Sequence, residues 1–255
     1  MTTDAEREGP FVRLEREGGV RHVVLDRPER RNAVSDELYA DLERVLQEVA
    51  ADPGTRSVLL SGQGRSFCAG ADLKAHATRE RTLPERRAYV WAGQRTTRLL
   101  QTLPVPVVAA VQGFCLGGGI GLVGNADVIV ASDDATFGLP EVDRGALGAA
   151  THLSRLVPQH LARAMLYTSR TVTAQRLYEL GSVLEVVEPD ALRDTALEVA
   201  REIASKDATV MRAAKESLNG IDLWDVKRSY RYEQGFTFEL NLLGVADEVR
   251  ADFGR

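Results

Sequence analysis

Two glycine-rich turns and one carboxylate carry the chemical potential of this chain. Ala69-Gly70-Ala71-Asp72 and Gly117-Gly118-Gly119 each come after an apolar run, and each is placed to open a helix. The first peptide N–H groups of a helix have no partner inside it, so both turns can present donors outward. Two such donors aimed at one point make an oxyanion hole, and the missing side chains let a ligand oxygen come close. The plainer alternative is that both are tight packing turns, since a lone triple glycine is a weak motif. The carboxylate is Glu141, at the end of Thr136-Phe137-Gly138-Leu139-Pro140-Glu141. An apolar, proline-containing stretch predicts partial burial, and a desolvated carboxylate is a better proton acceptor. Its ordinary alternative is a capped or ion-paired surface residue.

These groups need elements to hold them. Phe11 to Glu15 and Val20 to Leu25 flank Gly18-Gly19 and read as a hairpin, ended by Asp26-Arg27-Pro28. Ser35 can cap a helix whose Leu38, Leu42, Val45, Leu46 and Val49 form one apolar stripe, stopped by Asp52-Pro53-Gly54. Further strands are predicted at Ser57 to Ser61, Val105 to Val111 and Val128 to Ala131. Lys74 to Arg87 is charged, contains Pro84, and reads as a mobile segment that governs acyl preference; a helical stretch through Trp91 to Leu100 follows. Strands that alternate with glycine turns and amphipathic segments predict an α/β fold of repeated ββα or βα units with a parallel sheet. Beyond Pro158 the pattern turns helical, with faces at Leu192, Ala196, Val199, Ala200 and Ile203 and at Val210 to Leu218, so the C-terminal third is expected to be all-helical.

Bulk properties narrow the function classes. With 255 residues, 44% hydrophobic and 27% charged, the chain is neither disordered nor too short to bury a core. A net charge of −5 without a basic cluster argues against nucleic acid as the main partner. Cys68 and Cys115 are its two cysteines and have no metal-ligand spacing, which predicts reduced thiols and no metal site. The polar N-terminus lacks a signal-peptide core, and no run approaches the ~18 apolar residues of a membrane span, so a cytoplasmic protein without membrane contact is expected.

The ordered set of motifs resembles the crotonase (enoyl-CoA hydratase/isomerase) superfamily. Pro28 through Asn32-Ala33, Ser66 to Leu73, Gly113 to Gly119, Ala126-Asp127 and Phe137 to Glu141 resemble its successive signatures, and the likeness spans roughly residues 10 to 253. The resemblance implies a spiral of ββα units in residues 1–195 and a helical oligomerisation layer in residues 196–255, assembled as a homotrimer or a dimer of trimers. It implies an acyl-CoA thioester substrate and no cofactor beyond that CoA. The amides of Ala71 and Gly118 would hold the thioester oxygen and stabilise an enolate, with Glu141 moving the proton. Arg31, Asn32, Ala33 and the stretch Ala69, Gly70, Asp72 and Leu73 would lie near the CoA, and Gly117 and Gly121 complete the expected substrate-binding set.

The family pattern is broken at one place. Hydratases of this family resemble a two-carboxylate machine, whereas here the first of the two positions is Gly121 and only Glu141 remains. A single base beside an oxyanion hole suits double-bond isomerisation, or hydrolysis of a carbon–carbon bond beside a ketone in a cyclic β-keto acyl-CoA. The segment Gly113 to Gln159, together with Tyr232 to Asn241, is similar to actinobacterial crotonase relatives that open a ring late in steroid breakdown. A 2-enoyl-CoA hydratase and an inactive CoA-binding protein stay open as alternatives. Asp143, Arg144 and His152 are candidates for positioning water; an ion pair for the first two and a structural hydrogen bond for the histidine are the competing readings. Cys68 and Cys115 are expected to pack the turns, and Tyr89 and Trp91 to line the acyl pocket or the core.

Overall fold

In the computed structural model the described residues are 10–73 and 81–221, with residues 231, 234, 235, 238 and 242. Strands β1 (Val12–Glu17) and β2 (Val20–Leu25) pair antiparallel around Gly18, whose φ of 55° is a glycine conformation. β3 (Ser57–Gly62), β4 (Val107–Val111), β6 (Val128–Ser132) and β9 (Glu185–Val187) extend the sheet in parallel, in the order β1-β2-β3-β4-β6-β9. Alternate residues of these strands face two cores. Val58, Leu60, Val107, Ala109 and Val111 pack under helix α1 (Asp36–Ala51), while Leu59, Val108, Ala110 and Val130 pack under the later helix α7 (Leu192–Ser205). Burial on both faces is what makes these strands read as unbroken apolar runs.

Helix α1 begins where Ser35 accepts the Leu38 amide at 3.2 Å, and all five expected stripe residues are buried. Each contributes about 1.5–3 kcal/mol by leaving water. Helix α2 (Leu83–Thr102) is longer than its apolar pattern predicts. Thr82 and Glu85 form a capping box, and Pro84 sits in the first turn, where its missing N–H costs nothing. Residues 82–87 are therefore the cap and first turn of a helix, and Lys74 to Glu80 lie outside the described residues.

A second, three-stranded sheet holds the short elements. β5 (Phe114–Leu116) runs parallel to β7 (Thr136–Gly138), which pairs antiparallel with β8 (Val172–Thr173). Helix α3 (Gly118–Val123) starts directly after β5. After β7 come a 3-10 helix (Pro140–Arg144), α4 (Ala150–Leu153), α5 (Gln159–Thr168) and α6 (Ala174–Glu179). α7 is followed by α8 (Ala208–Ile221).

Two expectations about the C-terminal part are corrected. The last third is not all-helical, because β8 and β9 fall within it and β9 extends the main sheet beside β6. The boundary expected at residue 195 falls inside α7, whose Ala196, Leu197 and Ala200 belong to the core against the sheet. α8 is fastened by Lys215, almost fully buried, which bonds Asp127 at 2.5 Å while Asp127 also accepts the Val107 amide at 2.7 Å. Among the described residues no helix is long and apolar enough to cross a membrane.

Candidate active site

The two glycine turns meet. Val34 forms a parallel bridge with Ala71, its amide bonding Gly70 O at 2.8 Å and its carbonyl taking the Asp72 amide at 3.1 Å. On the other side Cys68 bridges Cys115 across the same junction. The approach is so close that a Cβ on Gly70 would lie 3.0 Å from Leu116 O, and one on Gly118 would lie 2.9 Å from Val34 Cγ2. Gly118 and Ala71 thus flank the same valine. Among the described residues neither amide meets an acceptor, and Gly118 is the first residue of α3, where an N–H has no partner in the helix.

Glu141 reaches the same point from the second sheet. Gly117 N donates to Gly138 O at 3.0 Å, continuing the β5–β7 pairing and fixing the start of the 3-10 helix that carries Glu141. The carboxylate fills the space beside Gly117: a Cβ there would sit 2.2 Å from Glu141 Oε1, and the same Cβ would be 3.5 Å from Gly70 Cα. Gly117 has φ 51° and ψ −110°, a region that in practice belongs to glycine. The half-buried Glu141 carboxylate therefore lies against Gly117, one residue before Gly118, and close to Gly70, one residue before Ala71.

The first turn is braced from behind. Asp72 is buried and bonds Arg27 at 2.7 Å; Arg27 also donates to Ala33 O at 3.2 Å and lies over the Phe11 ring. Arg31 and Asn32 both adopt left-handed backbone, with φ of 51° and 54°. The Asn32 side chain holds this bend, accepting the Arg27 amide at 2.8 Å and donating to Gln63 O at 3.0 Å and Ser66 O at 2.8 Å. Asn32 and Ala33 are consequently buried, whereas Arg31 is exposed and lies over the half-exposed Phe114 ring. Asp72 likewise sits inside, held by Arg27. Ala69 bonds back to Arg31 O at 3.0 Å, and Leu73 is half-buried beside the turn.

The remaining candidates separate cleanly. Asp143 is exposed and Arg144 half-exposed on the 3-10 helix after Glu141. His152 is fully buried on α4, and Asn125 donates to its Nδ1 at 3.0 Å and to Gly121 O at 2.6 Å. Burial pushes the His152 pKa down to about 3, aided by Arg155, so the ring is neutral; the donated bond at Nδ1 assigns its proton to Nε2. Gly121 is buried, and a Cβ there would meet only Thr97 Cγ2 at 3.4 Å and His152 Cδ2 at 3.9 Å. Burial also drives the Cys68 thiol up to about 12 and raises Cys115, so neither supplies a thiolate. Tyr89 donates to Val34 O at 3.2 Å and packs on Tyr39, whereas Trp91 stands 45% exposed and is not core. Among the described residues no three His, Cys, Asp or Glu side chains are grouped to hold a metal ion. The Arg27–Asp72 brace and Asn125 escaped sequence inspection, because their partners lie far apart in the chain.

A parallel sheet whose turns bring backbone donors and one carboxylate together is the frame of an acyl-transfer or enolate enzyme rather than of a passive scaffold. The chain belongs to the enoyl-CoA hydratase/isomerase family, the crotonase superfamily, whose model matches residues 15–238. It is 53% identical over 96% of its length to a (7aS)-7a-methyl-1,5-dioxo-2,3,5,6,7,7a-hexahydro-1H-indene-carboxyl-CoA hydrolase of Mycobacterium tuberculosis H37Rv, covering 98% of that protein. A hydrolase of the same name from Rhodococcus jostii RHA1 is 52% identical, with 92% of this chain and 90% of that one matched. Among solved structures, an enoyl-CoA hydratase/isomerase from Xanthobacter autotrophicus Py2 superposes with a TM-score of 0.86 at 27% identity, over 96% of each chain.

Proposed function

We propose that this enzyme hydrolyses a carbon–carbon bond in a cyclic β-keto acyl-CoA, opening the ring and leaving the thioester intact. Glu141 takes a proton from water as the water oxygen bonds to the ring ketone carbon. The bond from that carbon to the thioester α-carbon breaks, and its electron pair becomes the thioester enolate. The amides of Ala71 and Gly118 hold the enolate oxygen, and the protonated Glu141 returns the proton to the α-carbon. The product carries one new carboxylate and the mass of one added water. Donors of this kind are each worth on the order of 10²–10³ in rate.

The observation that carries the proposal is the placement of Glu141: its Oε1 lies against Gly117 at the glycine junction, where Asp72 is tied up by Arg27 and Gly121 offers no acid or base. Syn-addition of water to a 2-enoyl thioester needs a base and a further group to position the water, whereas a retro-Claisen step reuses one carboxylate for both proton transfers. The two hydrolases named above, whose names describe a dioxo indene carboxyl-CoA, support the same reaction class. Arg31, over Phe114, is proposed to meet the CoA phosphates or adenine, with the backbone of Ala69 to Leu73 beside it.

The exposed apolar residues Val210 and Leu218 of α8 support a homotrimer or a dimer of trimers, which light scattering on the purified protein tests by mass. The location is proposed to be cytoplasmic. The reaction is tested by mass spectrometry on crotonyl-CoA, a 3-enoyl-CoA and a cyclic β-keto acyl-CoA in parallel. Ring opening of the keto thioester alone is the expected result; fast hydration of crotonyl-CoA, or release of free CoA, would overturn the assignment.

A further inference from the structure

Helix α3 has little reason in its own sequence to be a helix. Its sequence is Gly-Gly-Ile-Gly-Leu-Val, six residues with three glycines, and its N-cap Gly117 offers no side-chain cap. Each glycine costs about 1 kcal/mol relative to alanine, and a segment this short does not hold helical shape alone. Yet its first N–H, that of Gly118, must point steadily at one oxygen. Something outside the segment fixes it.

The fixing group is a buried polar link. Asn125, 2% exposed, directs its amide to Gly121 O at 2.6 Å and to His152 Nδ1 at 3.0 Å. Gly121 in turn sends its N–H to Gly117 O at 3.2 Å, closing the first turn of α3. The packing leaves no play, since a Cβ on Gly124 would be 2.7 Å from both the Cβ and the carbonyl oxygen of His152. His152 lies on α4, the helix that follows the Glu141-bearing 3-10 helix, so the link ties the donor segment to the acid–base segment.

We infer that Asn125 and His152 are positioning residues, which clamp the carbonyl end of α3 and thereby hold the Gly118 amide in register with Glu141. This rests on the proposed roles of Gly118 and Glu141. The clamp works through His152 Nδ1 as an acceptor of the Asn125 amide at 3.0 Å, a role that the neutral buried ring keeps at neutral pH. A small residue at 121 belongs to the same arrangement, because the imidazole edge stands where a longer side chain at that position would reach.

The test uses the full-length enzyme and two readouts. One is kcat and KM on the cyclic β-keto acyl-CoA. The other is the infrared C=O stretch of bound butyryl-CoA, an unreactive thioester whose band falls in frequency when oxyanion donors grip it. His152→Ala is expected to lower kcat about tenfold or more with KM nearly unchanged, and to shrink the frequency shift. His152→Asn, whose Oδ1 replaces Nδ1 as acceptor, is expected to restore most of both. If His152→Ala does not accumulate folded, Asn125→Ala carries the same expectation with the ring left in place. An undiminished shift and kcat in His152→Ala or Asn125→Ala would overturn the clamp alone. Rescue by His152→Gln but not by His152→Asn would overturn it too, by showing that the Nε2 side acts directly. A wild-type enzyme that leaves the butyryl-CoA band unshifted would instead remove the oxyanion assignment on which the clamp depends.

Discussion

Replacing Gly117 with alanine perturbs the centre of the site with a single methyl group. The new Cβ would lie 2.2 Å from Glu141 Oε1 and 3.3 Å from Glu141 Cδ, whereas real Cβ contacts essentially never fall below 3.0 Å. The carboxylate must therefore retreat by about 1 Å, a misplacement that costs about 10²-fold in rate where a proton is transferred. The backbone adds its own penalty. At φ 51° and ψ −110° an alanine is strained by roughly 1–3 kcal/mol, which in a chain of this size lowers Tm by about 2–4 °C per kcal/mol. The assay is steady-state turnover of the cyclic β-keto acyl-CoA beside a thermal melt. Gly148→Ala is the control, because its Cβ would touch the same glutamate at 3.8 Å and 3.9 Å, ordinary contact distances. A hundredfold loss of kcat for Gly117→Ala, with Gly148→Ala within twofold of wild type, is expected. A folded Gly117→Ala enzyme with unchanged kcat would refute the placement of the proton transfer at Glu141.

Glu141→Gln removes the proposed base while keeping the shape, so kcat is expected to fall by about 10²–10⁴ with CoA-thioester affinity retained by calorimetry; equal losses of both would contradict a purely catalytic role. Arg27→Ala removes the 2.7 Å ion pair to the buried Asp72 carboxylate and is expected to cost about 3 kcal/mol in urea unfolding, with a loss of kcat because Asp72 adjoins Ala71. Gly121→Ala is expected to be tolerated, given 3.4 Å to Thr97 Cγ2, whereas Gly124→Ala should lose about 2 kcal/mol or more against the His152 backbone; similar melts for the two would count against the packing described. His152 also makes stability depend on pH. Its folded pKa is depressed to about 3, so between that value and the unfolded value near 6.5 the unfolded chain binds a proton the native one does not, and stability falls as pH falls. From pH 7 to pH 5 the histidine alone should account for about 2 kcal/mol, and His152→Asn should flatten that part of the urea-denaturation profile.

What could be seen in the sequence was whatever depends on local chemistry. The α1 stripe from Leu38 to Val49, its Ser35 cap and the stop at Asp52 were legible because periodicity and capping act within a few residues. The glycine turns and Glu141 were legible as types, and their order carried the family. Their meeting was not, because it depends on β5, β7 and β8, strands of three, three and two residues that are too short to show a period. The start of α2 is hidden because Pro84 and the surrounding charges suggest a break, although proline is at home in a first helical turn. β9 was lost among helical patterns for the same reason as β5. The role of Asn32 in the bend was not legible, because its three hydrogen bonds, to Arg27, Gln63 and Ser66, reach across the chain to hold a left-handed turn. The Asn125–His152 contact joins two segments that nothing local connects. Tyr232 to Asn241, a further family-like stretch, lies mostly outside the described residues.

The central claim is that one carboxylate and two amides open a ring by adding water across a carbon–carbon bond. Turnover of a cyclic β-keto acyl-CoA in ¹⁸O-labelled water, followed by mass spectrometry of the CoA product, tests it most directly. The account predicts a ring-opened product that keeps its CoA and carries one labelled oxygen in a new carboxylate, formed by wild type and not by Glu141→Gln. Free CoA with the ring closed, or label appearing only as a hydroxyl on crotonyl-CoA, would contradict it.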